Sequence, residues 1–284
     1  MSRKRSKPRL TPVWLPWIRA HLAQYQQDRL VQQSQVLQSV SYEGILAQAW
    51  SEADALRVAP LWWVSRDMTT LSVDTAQAGG LPDVEPPSLT GFMVFDGGLP
   101  LDFSDMPIAV PSINAIYWII DGSEPSNHGR VWIIRPHLYT TDPDIRTAHG
   151  GLPLAEIPQA LHPAVTQVLG DILIAVWALS QEPRVCQTRQ AQSSPLDRVP
   201  VAHDPQQHHV KMLVLRENLR NPLSHSDTNE PRVWTHRWIV RGFWRNQAFG
   251  PDHSLRRKQW IPPFVKGPAN LPLIHKETVR IWRR

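Results

Sequence analysis

Proline sets the limits for this chain. Prolines make up 27 of its 284 residues, and each fixes φ near about −65° and withholds a backbone N–H from helix or sheet. Long helical bundles are therefore not expected, and many loops and interrupted strands are. Between the prolines the apolar pattern is still clear. Leu15, Ile18, Leu22, Tyr25 and Arg29 mark one stripe of a helix near the N-terminus, and Leu46, Ala49, Trp50, Ala53 and Leu56 mark a second over 43–57. Val165, Val168, Leu169, Ile172, Leu173, Val176 and Trp177 give one face of a helix at about 163–181, with Pro163 in its first turn.

Strands are expected at Leu61–Val64, at Met68–Val73, at Gly91–Phe95, at 113–121 paired with 130–135, and at Val210–Leu215. The 113–121 and 130–135 pair is apolar on both faces, which is the pattern of a central strand. Asp121–Gly129 reads as the loop between them, and Gly-Gly-Leu-Pro at 79–82, 97–100 and 150–153 as three turns. The expected fold is α+β: a largely antiparallel sheet with N-terminal helices and one packed helix at about 163–181. Its organisation is an acidic α+β region over 1–181 with a basic tail at 1–9, a linker-like Pro/Gln/Ser-rich segment at 182–207, and a basic, Trp-rich β region over 208–284 that continues the same sheet.

Charge is distributed unevenly. Residues 232–284 hold 12 Lys/Arg and 2 acids, whereas 10–231 hold 13 basic and 23 acidic residues, so the overall +5 hides a dipole. Trp234, Trp238, Trp244, Trp260 and Trp282 are interleaved with those cations. Cations and flat apolar rings in one stretch suit a polyanion with exposed bases. Over Val233–Arg245, strand alternation places Trp234, His236, Trp238, Val240 and Trp244 on a buried face and Arg237, Ile239, Arg241, Phe243 and Arg245 on a cationic one. The expected nucleic-acid contacts are Arg237, Arg241, Arg245, Arg256, Arg257, Lys258 and Lys266. The first-choice function is binding of single-stranded RNA or DNA.

Two alternatives stay open. A metal-independent ribonuclease needs a base, an acid and a cation, which His236 with Arg237 and Arg241, or His253 with Arg256 and Arg257, would supply. An acidic protein partner, or the acidic 10–231 region of the same chain, would neutralise the basic end instead. The sequence carries no phosphate-binding loop, dinucleotide fingerprint, zinc-protease helix or nucleophile elbow, so no cofactor is expected. Candidate metal ligands at His203, Asp204, His208 and His209, and at Asp142 and Asp144, match no known spacing and read as polar loop and turn. The lone Cys186, beside Arg184 and Arg189, reads as a loop thiol whose thiolate those cations favour. One cysteine excludes a disulfide framework and points to a reducing compartment; with no long apolar run or signal core, a cytoplasmic protein without membrane contact is expected.

Arg241-Gly242-Phe243-Trp244-Arg245, with Gly250-Pro251, Trp260-Ile261-Pro262 and Lys266-Gly267-Pro268, resembles a pattern in uncharacterised proteins of actinobacteria, their phages and mobile elements. The resemblance covers about the last fifty residues, and Phe243 stands where that pattern has histidine. It implies a bacterial or phage-borne protein and no established activity.

Overall fold

The computed structural model describes residues 9–36, 43–102, 110–126, 129–148, 150–157, 163–192, 209–216, 235–268 and 271–274. The fold is α+β. After a 3-10 turn at Pro12–Trp14 come α1 (Leu15–Val36), α2 (Glu43–Val58), β1 (Leu61–Val64), α3 (Arg66–Ala78) and β2 (Thr90–Phe95). A long hairpin, β3 (Ala115–Ser126) and β4 (Gly129–Thr140), leads to α4 (Pro143–Ala148), β5 (Ala155–Glu156) and α5 (Pro163–Ser180). The chain continues as β6 (Cys186–Gln190), β7 (Val210–Leu215), β8 (Trp238–Val240), β9 (Phe243–Phe249), β10 (Leu255–Ile261) and β11 (Phe264–Lys266).

Seven strands form one mixed sheet in the order β5-β4-β3-β2-β1-β7-β6. Only the β1–β2 and β1–β7 pairs are parallel. Alternation along β1 explains how one sheet supports two cores. Leu61 and Trp63 face Leu15, Ile18, Leu22 and Leu56 of α1 and α2. Trp62 and Val64 face Met68 and Leu71 of α3 and Leu169, Leu173 and Trp177 of α5. Trp118 and Trp177 meet at 5.6 Å between ring centroids and seal the second core.

Several expectations are corrected. Met68–Val73 belongs to α3, not to a strand. Its β-branched and hydroxyl residues are accommodated because the hydroxyls return to carbonyls four residues back: Thr70 to Arg66 at 3.1 Å, Ser72 to Met68 at 2.8 Å, and Thr75 to Leu71 at 2.6 Å. Residues 121–126, read as loop, extend β3. The 182–207 segment is not simply a linker, since β6 opens it and pairs with β7; its residues 193–207 lie outside the described ones. The C-terminal strands do not all continue the sheet: β7 sits between β1 and β6, whereas β9 pairs with β10 and β8 with β11. Prolines explain the separation. Pro262 and Pro263 lie between β10 and β11 and lack the N–H groups that a continuous ladder needs.

Both glycines of each Gly-Gly-Leu-Pro copy are at positive φ, for example Gly97 at 83° and Gly98 at 81°; the copies at 97–100 and 150–153 begin in turns as expected, whereas Gly79 ends α3. No helix among the described residues is long and apolar enough to cross a membrane.

Candidate nucleic-acid interface

The C-terminal strands are fastened along the full length of α3. Near the start of the helix Arg237 Nη2 lies 2.8 Å from Asp67 Oδ2, and Arg237 Nε donates to the Leu271 carbonyl at 2.6 Å. Two turns further on, Arg241 Nη2 approaches Asp74 Oδ1 at 3.9 Å. Just past the helix, Trp244 Nε1 donates to the Gly80 carbonyl at 3.0 Å. From Asp67 to Asp74 the helix rises about 10 Å, a span that the four-residue step from Arg237 to Arg241 covers in about 13 Å of extended chain. Between the two arginines, Ile239 packs against the core with Val265 and Trp260.

At β8 this docking departs from the face assignment made from alternation: Arg237 and Ile239 turn toward α3, and Arg241 approaches Asp74 while staying 44% exposed, whereas on β9 Phe243 and Arg245 are exposed as expected. Arg237 is only 11% exposed, its guanidinium held between Asp67 and the Leu271 carbonyl. Trp238, expected inside, is half-buried with His236 edge-on to it at 6.1 Å, and Trp244 is 49% exposed. Trp234 lies outside the described residues. The alternation also fails to run through, because β8 stops at Val240 and the chain turns at Arg241-Gly242 before β9. A Cβ on Gly242 would meet the Ile261 carbonyl and the Pro263 ring, each at 2.9 Å, so only glycine fits this corner. Gly267 has a similar role: at φ 110° it crosses over His236 and Arg237, and a Cβ there would sit 2.8 Å from the His236 carbonyl.

Beyond the corner, β9 and β10 form a two-stranded ribbon with a regular register from Phe243–Ile261 to Phe249–Leu255. Arg245, Arg256, Arg257 and Lys258 are all exposed on it, and so are Phe243, Trp244, Phe249 and Leu255. Arg257 stands 5.5 Å from the centroid of Phe249, and on the neighbouring pair Lys266 stands 5.7 Å from that of Phe264. The tip turns through Asp252 and His253, both at positive φ (51° and 55°). Arg256 Nη1 reaches the His253 carbonyl at 3.0 Å.

The two candidate catalytic histidines are not brought together. His236 precedes β8 and touches Thr235 at 3.1 Å, while His253 lies at the ribbon tip, a full strand length away. Of the cations assigned to His236, Arg237 is held by Asp67, and Arg241 approaches Asp74. Cys186 is corrected too: it is buried at the start of β6, and burial pushes its thiol up to about 11, against smaller opposing effects of a Val214 backbone hydrogen bond and Arg216. Asp142 caps α4, its Oδ1 accepting from the backbone N–H groups of Asp144 at 3.0 Å and Ile145 at 3.2 Å. No cluster of three metal-ligating side chains occurs among the described residues; of the His203, Asp204, His208 and His209 group only His209 is described.

One polar constellation escaped the sequence reading. Arg135 on β4 bonds Glu52 of α2 and forks onto Asp121 of β3 at 2.6 and 3.0 Å. His137 Nδ1 meets Glu156 Oε1 at 3.0 Å, and Gln26 of α1 donates to Glu156 Oε2 at 3.0 Å. His137 Nε2 is buried, 3.6 Å from Glu52 Oε2. With that nitrogen closed to solvent, the group ties α1, α2 and β5 to β4. Burial alone would raise the Glu156 carboxyl, but the His137 hydrogen bond and charge, with Gln26 and Arg29, hold it below its ordinary value of 4.5. A depressed carboxyl stabilises the fold fully above the unfolded value and loses that contribution as pH falls through the folded one. In acid titrations followed by circular dichroism, Glu156→Gln should therefore flatten the unfolding limb below about pH 4.5.

No family model matches the chain, and no curated protein matches it. Among solved structures, the chain is similar to the crystal structure of AcrVA2, at 14% identity over 86% of each chain and a TM-score of 0.34, an overlap too loose to bear on the site.

Proposed function

We propose that this protein binds nucleic acid, with the β9–β10 ribbon as its contact surface. The supporting observation is the ribbon itself, where Arg245, Arg256, Arg257 and Lys258 are exposed beside solvent-facing aromatic rings, with Asp252 as the single acid. Guanidinium and ammonium groups hold phosphates, and rings beside them accept bases. Lys266 adds a further exposed cation on β11. Arg237 and Arg241 belong to the scaffold that aims the ribbon. The setting that fits is the bacterial, phage or mobile-element one implied by the resemblance of the C-terminal stretch.

Fluorescence anisotropy with labelled single-stranded RNA and DNA at low salt tests this reading. Binding that weakens as salt rises is expected; no binding to either nucleic acid would remove it. The same protein incubated with mixed-sequence RNA, with and without chelator, is expected to leave the RNA intact. Cleavage that is lost in His253→Gln but not in a tip variant such as Asp252→Asn would replace binding by catalysis. A specific observation also favours in part the alternative in which the acidic region of the same chain neutralises the basic end: Asp67 pairs with Arg237 and Asp74 approaches Arg241.

A further inference from the structure

The two faces of the ribbon differ in chemistry. In the β9–β10 register Phe243 is opposite Ile261, Arg245 opposite Gln259, Gln247 opposite Arg257 and Phe249 opposite Leu255, so these pairs share one face. The intervening pairs, Trp244–Trp260, Asn246–Lys258 and Ala248–Arg256, share the other. At the ribbon's base this second face is turned toward the body, because Trp244 donates to Gly80 and Trp260 packs on the core. The first face consequently points away from the body there, with Phe243 52% and Phe249 37% exposed.

Those two rings are separated by six strand positions, about 20 Å. The face between them holds two guanidinium groups, Arg245 and Arg257, two amides, Gln247 and Gln259, and no acid. Resting on the reading of the ribbon as a nucleic-acid surface, we infer that its ligand is an unpaired strand, with bases stacked on Phe243 and Phe249 and the intervening phosphates on Arg245 and Arg257. Pairing is what the face selects against. Inside a duplex the flat side of each base is covered by its neighbours, so phenyl rings have nothing to stack on and only the cations would engage. An unpaired strand offers a flat face at every base, whatever its sequence.

The test uses the full-length protein with labelled oligouridylate and oligodeoxythymidylate of about four to about sixteen nucleotides, the range of stacking-groove site sizes, and a blunt duplex of matched length. The unpaired strands should bind at least about tenfold tighter than the duplex at equal salt. Phe243→Ser and Phe249→Ser should each weaken binding about five- to a hundredfold, the range expected for one lost base stack, without changing the salt slope. Phe249→Trp should restore affinity, which a role confined to holding the Leu255 pair would not require. Equal affinity for duplex and single strand would overturn the inference. So would wild-type binding by both serine variants while Arg245→Gln and Arg257→Gln weaken it, an outcome that preserves the ribbon as a charge-reading surface. Absence of all nucleic-acid binding would instead remove the parent reading. Melting temperatures of the variants separate a lost stack from a lost fold.

Discussion

Replacing Arg245, Arg256, Arg257 and Lys258 together with glutamine should sharply reduce the salt dependence of single-strand binding, leaving the residual slope that Lys266 supplies. Each phosphate neutralised on a single strand contributes about −0.7 to the slope of log affinity against log salt, so four lost contacts should flatten it by up to about 2.8. At low salt the affinity should fall by about two to three orders of magnitude, and the difference from the parent protein should shrink as salt is raised. These side chains are exposed and none is a partner in an ion pair described above, so the melting temperature should stay within about a degree or two. A steep residual slope would place the phosphate contacts elsewhere on the chain.

The second large effect concerns stability. Arg237→Ala removes a nearly buried guanidinium and leaves Asp67 without its 2.8 Å partner and the Leu271 carbonyl without its donor. The expected loss is about 2–3 kcal/mol, the range for truncating a hydrogen-bonded charge whose partner is still partly wet. Chemical denaturation should record it as a lower midpoint. A cycle with Asp67→Asn should give strong coupling, because the two residues act as one contact. Nucleic-acid affinity measured well below the melting temperature should change little. Arg237→Ala with unchanged stability and abolished binding would return this residue to the phosphate-contact role that charge alone suggested.

Much of the fold was legible because its signals are local. The β3–β4 hairpin announced itself by apolar residues on both faces, and α5 by a stripe of Val165, Leu169, Ile172 and Leu173 with Pro163 where a helix can begin. What could not be read depends on contacts distant in sequence. α3 looks like a strand until its hydroxyls are seen returning to the preceding turn. β6, Cys-Gln-Thr-Arg-Gln, has no apolar period and exists because β7 offers a ladder. The same limit applies to the site. Net charge located the basic end, and Arg245, Arg256, Arg257 and Lys258 are exposed there. Only the fold could reveal that Arg237 and Arg241 face acids more than 160 residues earlier. The local clue that went unused was Gly242 with Pro262-Pro263, a glycine facing a proline pair, which breaks the apparent continuous alternation into two short strand pairs.

The three fastenings along α3 mean that the division drawn by charge is not a seam along which the molecule can be cut. Ile239, Trp260 and Val265 roof over part of the core beneath β1 and α3, so the acidic portion is incomplete without the basic one. A shortened chain ending before β8 would carry a bare apolar strip beside Asp67 and Asp74, and would seek a substitute cover in a chaperone or a neighbouring copy. The hairpin, in turn, is held at its root, where Trp244 bonds Gly80 and Trp260 packs on the core, and among the described residues its tip bonds only within itself.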